Sequence, residues 1–88
     1  MNNNYLGVVV YSKAGRDIDR KFIIMDIINE EYVYISDGDL RKVEKPKRKK
    51  IKHLIITDRV FDDVLSKKTV SNSEIRKFLQ SLGSNKEA

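Results

Sequence analysis

Five short segments rich in β-branched and aromatic residues follow one another in the first two thirds of the chain, with polar turn sequences between them. The segments are residues 5–11, 21–28, 32–35, 40–43 and 51–57. Each is too short for a stable helix and has the composition of a strand. Asp37-Gly38 between the third and fourth segments is the strongest turn signal, because this pair readily adopts positive φ. Five short strands in about 55 residues favour a mainly β fold, a small closed barrel.

The second and third segments are predicted to form a hairpin across the short polar connection at residues 29–31. Strict alternation along the second segment assigns its residues to two faces. One face carries Ile23, Met25 and Ile27, and the other carries Phe22, Ile24 and Asp26. The face that contains Asp26 is expected to be half-exposed.

The hydrophobic period changes to that of helices after Thr57. Asp58 is predicted to cap a short helix. Ser71 and Glu74 match the capping box that begins a second helix, and Gly83 is predicted to end it. The apolar residues at helical spacing are Val60, Phe61, Val64, Leu65, Ile75, Phe78, Leu79 and Leu82. Helices this short are marginal in water, so their stripes are expected to cover a flank of the barrel. The predicted organisation is a barrel over residues 5–57 and a two-helix extension over residues 58–83.

A dense basic run occupies residues 41–52, where eight of the twelve residues are Lys or Arg and one is Glu. The run therefore carries more positive charge than the whole chain, whose net charge is +5. A local patch of this kind binds polyanions by neutralising phosphates and releasing counterions. The alternative is a solvated charge run that promotes solubility. Pro46 interrupts the run, so the run cannot form a membrane-binding amphipathic helix. The run is instead predicted to be a loop that is anchored to the fold at both ends.

Several classes of function are disfavoured. No apolar stretch approaches the roughly 20 residues of a spanning helix, and the polar start does not resemble a secretory signal, so a cytoplasmic location without membrane contact is expected. Without cysteine there is no thiolate nucleophile or cysteine-based metal site. The single histidine, His53, lacks the partners that metal binding or a ribonuclease would need. We expect no enzyme activity, metal, cofactor or small-molecule substrate; a protein-interaction module is the alternative to RNA binding.

Two stretches resemble a known family. Residues 6–17 with 20–22 look like a KOW motif, in which Gly15 matches the first glycine of the loop, whereas Asp19 stands where many KOW loops have a second. Residues 36–47 with 52–54 resemble small bacterial KOW proteins related to the KOW-type large-subunit ribosomal proteins of archaea and eukaryotes. The resemblance implies an SH3-like barrel that binds RNA, most often ribosomal RNA, without catalytic residues or a cofactor.

The predicted RNA contacts come from the basic run and from the loop of the KOW-like stretch. They are Lys13, Arg16, Arg20, Lys21, Arg41, Lys42, Lys45, Lys47, Arg48, Lys49, Lys50, Lys52 and His53. Tyr32 and Tyr34 alternate along one strand, where they would either stack on unpaired bases or pack against the sheet. The predicted partner is ribosomal RNA of the large subunit, and the oligomeric state is not predicted.

Overall fold

The structure is a computed structural model that describes residues 5–13, 20–66 and 69–82. The fold is mainly β, as predicted, with five strands and two short C-terminal helices. The strands are β1 (Val8–Ser12), β2 (Lys21–Ile27), β3 (Tyr32–Ser36), β4 (Lys47–Lys50) and β5 (Leu54–Val60). A 3₁₀ turn at Ile51–His53 joins β4 to β5, and the helices are α1 (Asp63–Ser66) and α2 (Asn72–Ser81).

The strands form one antiparallel sheet in the order β4-β3-β2-β1-β5. The predicted hairpin between β2 and β3 is confirmed, and the Asn29 side chain accepts hydrogen bonds from the backbone of Glu31 and Tyr32 at its tip. Strands β4 and β5 lie at opposite ends of this order, yet only the 3₁₀ turn separates them in sequence. The sheet must therefore curl so that its two edges approach each other at that turn.

A buried apolar cluster lies on each face of the sheet. One face carries the cluster of Val8, Val10, Phe22, Ile24, Val33, Ile35 and Leu54. On the other face, Val9 and Ile23 pack with Phe61, Val70, Ile75 and Leu79, which belong to the part of the chain after β5. Successive residues of a strand point to opposite faces, so the runs of apolar residues in β1 and β2 supply both clusters. The second cluster confirms that the apolar stripe of α2 covers a flank of the sheet. The first stripe covers it only through Phe61 and Val64, because Val60 and Leu65 are 41% and 55% exposed.

Helix α2 begins as the sequence predicts. The hydroxyl of Ser71 accepts a hydrogen bond from the backbone of Glu74, whose carboxylate accepts one from the backbone of Ser71. Phe78 stacks on Phe61, with ring centroids 4.5 Å apart, and ties the helix to the segment after β5. The predicted stop at Gly83 lies outside the described residues.

The prediction of a fourth strand over residues 40–43 is wrong, and so is the prediction of a loop throughout the basic run. The backbone N–H groups of Asp37 and Gly38 both donate to the carbonyl of Arg41, so the chain closes a compact turn where a strand was expected. The fourth strand lies instead at Lys47–Lys50, directly after Pro46. This position is an edge of the sheet, where proline can precede a strand and cations keep contact with water.

Three further elements differ from the sequence-based expectations. The register between β2 and β3 shifts between Ile24 and Asp26, and as a result Ile27 packs with the first cluster, not with Ile23 and Met25. Residues 51–53 form the 3₁₀ turn, so the last strand begins at Leu54. Asp58 lies within β5, which runs to Val60 and pairs there with β1; the first helix starts only at Asp63.

Candidate nucleic-acid interface

The hairpin of β3 and β4 brings the basic run beside the two tyrosines. Its register pairs Tyr32 with Lys50 and Tyr34 with Arg48. Paired residues share a face of the sheet, so these four side chains form one surface, which we call the Tyr–Arg face. The other residues of the hairpin, Val33, Ile35, Lys47 and Lys49, share the opposite face with the first core cluster.

Two cations of the Tyr–Arg face lie over an aromatic ring. The guanidinium carbon of Arg48 is 4.9 Å from the ring centroid of Tyr32, and the ammonium nitrogen of Lys50 is 5.8 Å from it. Contacts of this kind stabilise exposed cations by roughly 0.5–1 kcal/mol each and restrict their rotamers. The planar guanidinium of Arg48 is exposed, so it is available for forked hydrogen bonds to phosphate or for stacking.

The strand geometry spaces the charges of β4. Residues two apart in a strand lie roughly 6.6 Å apart on the same face. Arg48 and Lys50 therefore extend from the Tyr–Arg face, and Lys47 and Lys49 extend from the other face. Arg48 is exposed, and the three lysines are half-buried. Long lysine stems commonly cover apolar surface and keep the ammonium group in water. The edge strand thus displays cations along both of its sides.

The remaining predicted contacts of the basic run are distributed around this strand. Lys42 and Lys45 are exposed on the segment that leads into β4, and Arg41 is half-buried there. Lys52 is exposed on the 3₁₀ turn, and His53 is half-buried beside it. Lys13 reaches the same turn, because its backbone N–H donates to the carbonyl of His53 over 2.8 Å. Arg16, Gly15 and Asp19 lie outside the described residues.

Arg20 and Lys21, which are among the predicted RNA contacts, connect elements of the fold. A guanidinium nitrogen of Arg20 lies 2.7 Å from a carboxylate oxygen of Asp37 and 3.9 Å from one of Asp39. The ammonium group of Lys21 donates to the carbonyl of Leu79 at the end of α2 over 3.0 Å, and burial lowers the pKa of Lys21. These groups line a cleft of about 390 Å³ between α2 and the sheet. The interactions of Arg20 and Lys21 connect the sheet to the turn and to α2, a role that their charge did not indicate.

Asp37 is the centre of the turn before the basic strand. Its side chain is only 3% exposed, and it accepts hydrogen bonds from Arg20 and from the backbone of Asp39 and Arg41. Burial alone would raise the pKa of Asp37, but these hydrogen bonds and the positive charge of Arg20 together lower it. The ionised carboxylate therefore stabilises the fold.

The lowered pKa of Asp37 predicts that the stability of the fold depends on pH. Because the pKa is lower in the folded state, the stabilisation is complete above the unfolded pKa of about 4 and is lost as the pH falls through the folded value. Thermal unfolding of the wild type and of Asp37→Asn should be measured from pH 7 to pH 2. The wild type should melt higher at pH 7, and the difference should shrink below about pH 4. A difference that stays constant down to pH 2 would contradict this role for Asp37.

Helix α2 holds the segment between the turn and the basic strand. A guanidinium N–H of Arg76 donates to the carbonyl of Gly38 over 2.7 Å, and the Asn72 side chain accepts from the backbone of Val43 over 2.8 Å. The amide of Asn72 also donates to the carboxylate of Glu44, a hydrogen bond that lowers the pKa of Glu44. Gly38 has a φ of 75°, and a Cβ at this position would collide with the carbonyl oxygen of Asn72.

Within residues 5–13, 20–66 and 69–82, His, Asp and Glu nowhere gather in a group of three or more that could hold a metal ion. No helix in the same ranges is both long and apolar enough to cross a membrane.

Comparison with known proteins identifies the family. No protein-family model matches the chain. The large ribosomal subunit protein eL14 of Pyrobaculum aerophilum is 32% identical over 78 residues, which make up 89% of this chain and 73% of that protein. The chain belongs to the eL14 family. The eL14 protein of Pyrobaculum calidifontis matches to the same extent, and that of Staphylothermus marinus is 35% identical over 57 residues, or 65% of this chain and 59% of that protein.

Membership of the eL14 family is consistent with the resemblance to KOW-type large-subunit ribosomal proteins. The relatives named above are archaeal. In this eL14-family chain, the residues that sequence reasoning missed are those of α2 that hold the basic segment, Asn72 and Arg76. Their partners lie 28 to 38 positions away in the sequence, and no local pattern indicates such contacts.

Proposed function

We propose that the chain is a non-enzymatic component of the large ribosomal subunit that binds ribosomal RNA through the edge of its sheet formed by β4. The observation that supports this most directly is that the cations are held in place. Four consecutive basic residues form an edge strand, and the side chains of two of them lie over Tyr32. A surface ordered before binding loses less conformational entropy when it meets a phosphate backbone. Membership of the eL14 family supports ribosomal RNA as the partner.

The proposed interface includes the cations around β4. The exposed side chains of Lys42, Lys45 and Lys52 extend it at both ends, and Lys13 extends it across the 3₁₀ turn. Arg20 and Lys21 are proposed to act indirectly, by holding the turn and α2 in place. Tyr32 contributes by positioning Arg48 and Lys50, and the stacking of bases on Tyr32 or Tyr34 remains a prediction.

We also propose how the strands and the helical extension are arranged. The five strands within residues 8–60 close into an SH3-like barrel, and the helical extension that follows them covers the barrel from outside. The three-residue link between the two edge strands supports this closure. We further propose a cytoplasmic location, where ribosomes assemble, and a place among the bacterial KOW proteins.

Salt dependence tests the proposed mechanism. If about five cations engage a single strand, the logarithm of the binding constant should fall with the logarithm of salt concentration at a slope of roughly −3.5. The measurement is fluorescence anisotropy of the full chain with labelled large-subunit ribosomal RNA fragments over a range of KCl concentrations. A binding constant that does not respond to salt would refute phosphate contacts as the source of affinity.

A second candidate function is a protein contact within the same assembly, and strand β5 favours it. Ile55, Ile56 and Val60 are 44%, 39% and 41% exposed on this edge strand, where another chain can add a strand. If this contact provided most of the affinity, reversing charges in β4 would leave complex formation nearly intact.

A further inference from the structure

The outer edge of β4 carries main-chain groups as well as cations. Strand β4 lies at one end of the sheet, and within the described residues it pairs with β3 alone. The side of β4 that faces away from β3, which we call the free edge, therefore has a row of backbone N–H and C=O groups without ladder partners. The hydrogen bonds around the hairpin show which residues carry these groups.

The pairing of β3 with β4 fixes the direction of each peptide group. The N–H of Ile51, the residue after β4, donates to the carbonyl of Glu31 over 2.8 Å, so these two residues form a hydrogen-bonded pair. Along an antiparallel ladder, hydrogen-bonded pairs alternate with pairs that exchange no hydrogen bonds. By this alternation Lys49 exchanges hydrogen bonds with β3, whereas Arg48 and Lys50 do not.

The opposite strand has the matching alternation. Tyr32 lies opposite Lys50, and its carbonyl accepts from the backbone of Ile28 and Asn29 at the end of β2, on the side away from β4. The N–H groups of Arg48 and Lys50 and the carbonyl of Arg48 therefore point out of the sheet along the free edge.

The free edge presents a donor, an acceptor and a second donor in succession. These are the N–H of Arg48, the carbonyl of Arg48 and the N–H of Lys50, and the two donors are roughly 6.6 Å apart, the repeat of two residues in a strand. The backbone of RNA has the complementary alternation, because each nucleotide has phosphate oxygens that accept and a ribose 2′-hydroxyl that can donate. The backbone of DNA lacks this hydroxyl and has acceptors alone.

The charge around the free edge favours a nucleic acid over a peptide strand, which can also pair with an edge. Residues 45–52 contain six cations and no acidic residue. The adjoining hairpin of β2 and β3 contributes three acidic residues, Asp26, Glu30 and Glu31, and six cations against three carboxylates leave a charge of +3. Donors that lie in such surroundings are suited to phosphate oxygens.

We propose that the free edge of β4 recognises ribose: the N–H groups of Arg48 and Lys50 donate to phosphate oxygens of a bound RNA strand, and the carbonyl of Arg48 accepts from a 2′-hydroxyl between them. This inference rests on the proposed function and adds to it a preference for RNA over DNA. The cations themselves attract both nucleic acids, since both carry phosphates. In a complex with DNA the carbonyl of Arg48 would face the backbone without a donor, which lowers the affinity.

The test compares Arg48→Ala with Arg48→Pro in the full chain. Both substitutions remove the same charge and the same contact with Tyr32. Only proline also removes the N–H and places a ring at the free edge, a position where a strand tolerates proline. The wild type and both variants are titrated at several KCl concentrations with a single-stranded fragment of large-subunit ribosomal RNA, and with 2′-fluoro RNA and DNA of the same sequence. The 2′-fluoro RNA keeps every phosphate and lacks the hydroxyl donor.

The wild type should bind RNA about five- to tenfold more tightly than 2′-fluoro RNA or DNA, the effect of about one hydrogen bond. Arg48→Ala should bind all three more weakly and keep this ratio. Arg48→Pro should bring the ratio close to one, because the ring keeps the RNA backbone away from the carbonyl. The slopes against salt should be equal in the two variants, since each has lost the same cation.

Amide hydrogen exchange of the wild type, followed by NMR, tests the same contact without a substitution and decides the matter if Arg48→Pro does not fold. In the free protein the amides of Arg48 and Lys50 should exchange rapidly, whereas that of Lys49, which is bonded to β3, should exchange slowly. Addition of the RNA fragment should slow exchange severalfold at Arg48 and Lys50. Lys49 is the internal control for a general stabilisation of the strand.

Four results would overturn the inference. If the wild type binds RNA and 2′-fluoro RNA equally while binding still depends on salt, the side chains act alone and the proposed function stands. If Arg48→Pro folds and keeps the ratio of Arg48→Ala, the hydroxyl is recognised elsewhere. If poly-L-glutamate slows exchange at Arg48 and Lys50 and RNA does not, the free edge takes an acidic peptide. If the wild type binds none of the nucleic acids, the proposed function fails together with the inference.

Discussion

Replacing Arg48 and Lys50 together by Glu is expected to lower the affinity for large-subunit ribosomal RNA roughly a hundredfold at physiological salt. Each substitution removes a phosphate contact and introduces a charge that repels the backbone. Because two contacts disappear, the slope of log K against log salt should become about 1.4 less steep. Loss of the contacts with Tyr32 should change stability by only about 1 kcal/mol, partly offset by reduced repulsion along β4.

A variant with Arg59 and Lys77 replaced by Glu is the matched control for this experiment. Both residues are exposed, and the substitutions produce the same change in net charge away from β4. The control should retain most of the affinity, because contacts at the interface and not total charge determine binding. Filter binding of the three proteins to the same RNA fragment makes the comparison. Equal losses in the two variants would indicate a nonspecific effect of net charge and contradict an interface at β4.

Replacing Ile75 by Ala is expected to destabilise the protein by about 3 kcal/mol. Ile75 is fully buried where α2 meets the sheet, in the cluster that contains Val9 and Ile23. A shorter side chain leaves a cavity that neither layer can fill without moving. For a domain of this size the melting temperature should fall by about 15 °C.

Leu65→Ala is the control for the core substitution, because the side chain of Leu65 is exposed on α1. Its effect should stay within about 0.5 kcal/mol. Differential scanning calorimetry or thermal circular dichroism measures both variants. If Ile75→Ala melted at the same temperature as Leu65→Ala, the helix would not be an integral layer of the fold.

Local patterns in the sequence were sufficient wherever the relevant contact is local. The capping box of Ser71 and Glu74 and the hairpin of β2 and β3 involve residues a few positions apart, and both are confirmed. The burial of Ile75 and Leu79 followed from their helical spacing, because a short apolar stripe must find a covering surface. The mainly β class followed in the same way from five short apolar segments.

The fourth strand could not be predicted in this way. Lys47–Lys50 contains four cations and no residue that favours strands, so only pairing with β3 makes it extended. Likewise, the displacement of Ile27 to the other face depends on a register shift that strict alternation cannot reveal. Both features are decided by the neighbouring strand and not by the segment itself.

The candidate RNA-binding residues show the same difference between what local sequence indicates and what only distant contacts determine. Charge density singled out the basic run, but charge alone could not separate exposed cations from those that connect elements of the fold. Arg20 and Lys21 have partners 17 and 58 positions away, and no signal in their own segment distinguishes them from Arg48.

The attachment of the turn to α2 has a consequence for protein synthesis. Arg76 is translated 38 residues after Gly38, to which it donates its hydrogen bond, and Asn72 follows Val43 by 29 residues. At about 5–20 residues per second, a nascent chain whose basic strand has been synthesised still lacks, for several seconds, the helix that holds the segment before that strand. The segment that leads into β4 therefore reaches its final arrangement only after α2 has been translated, and a chain interrupted before α2 would carry the cations without that support.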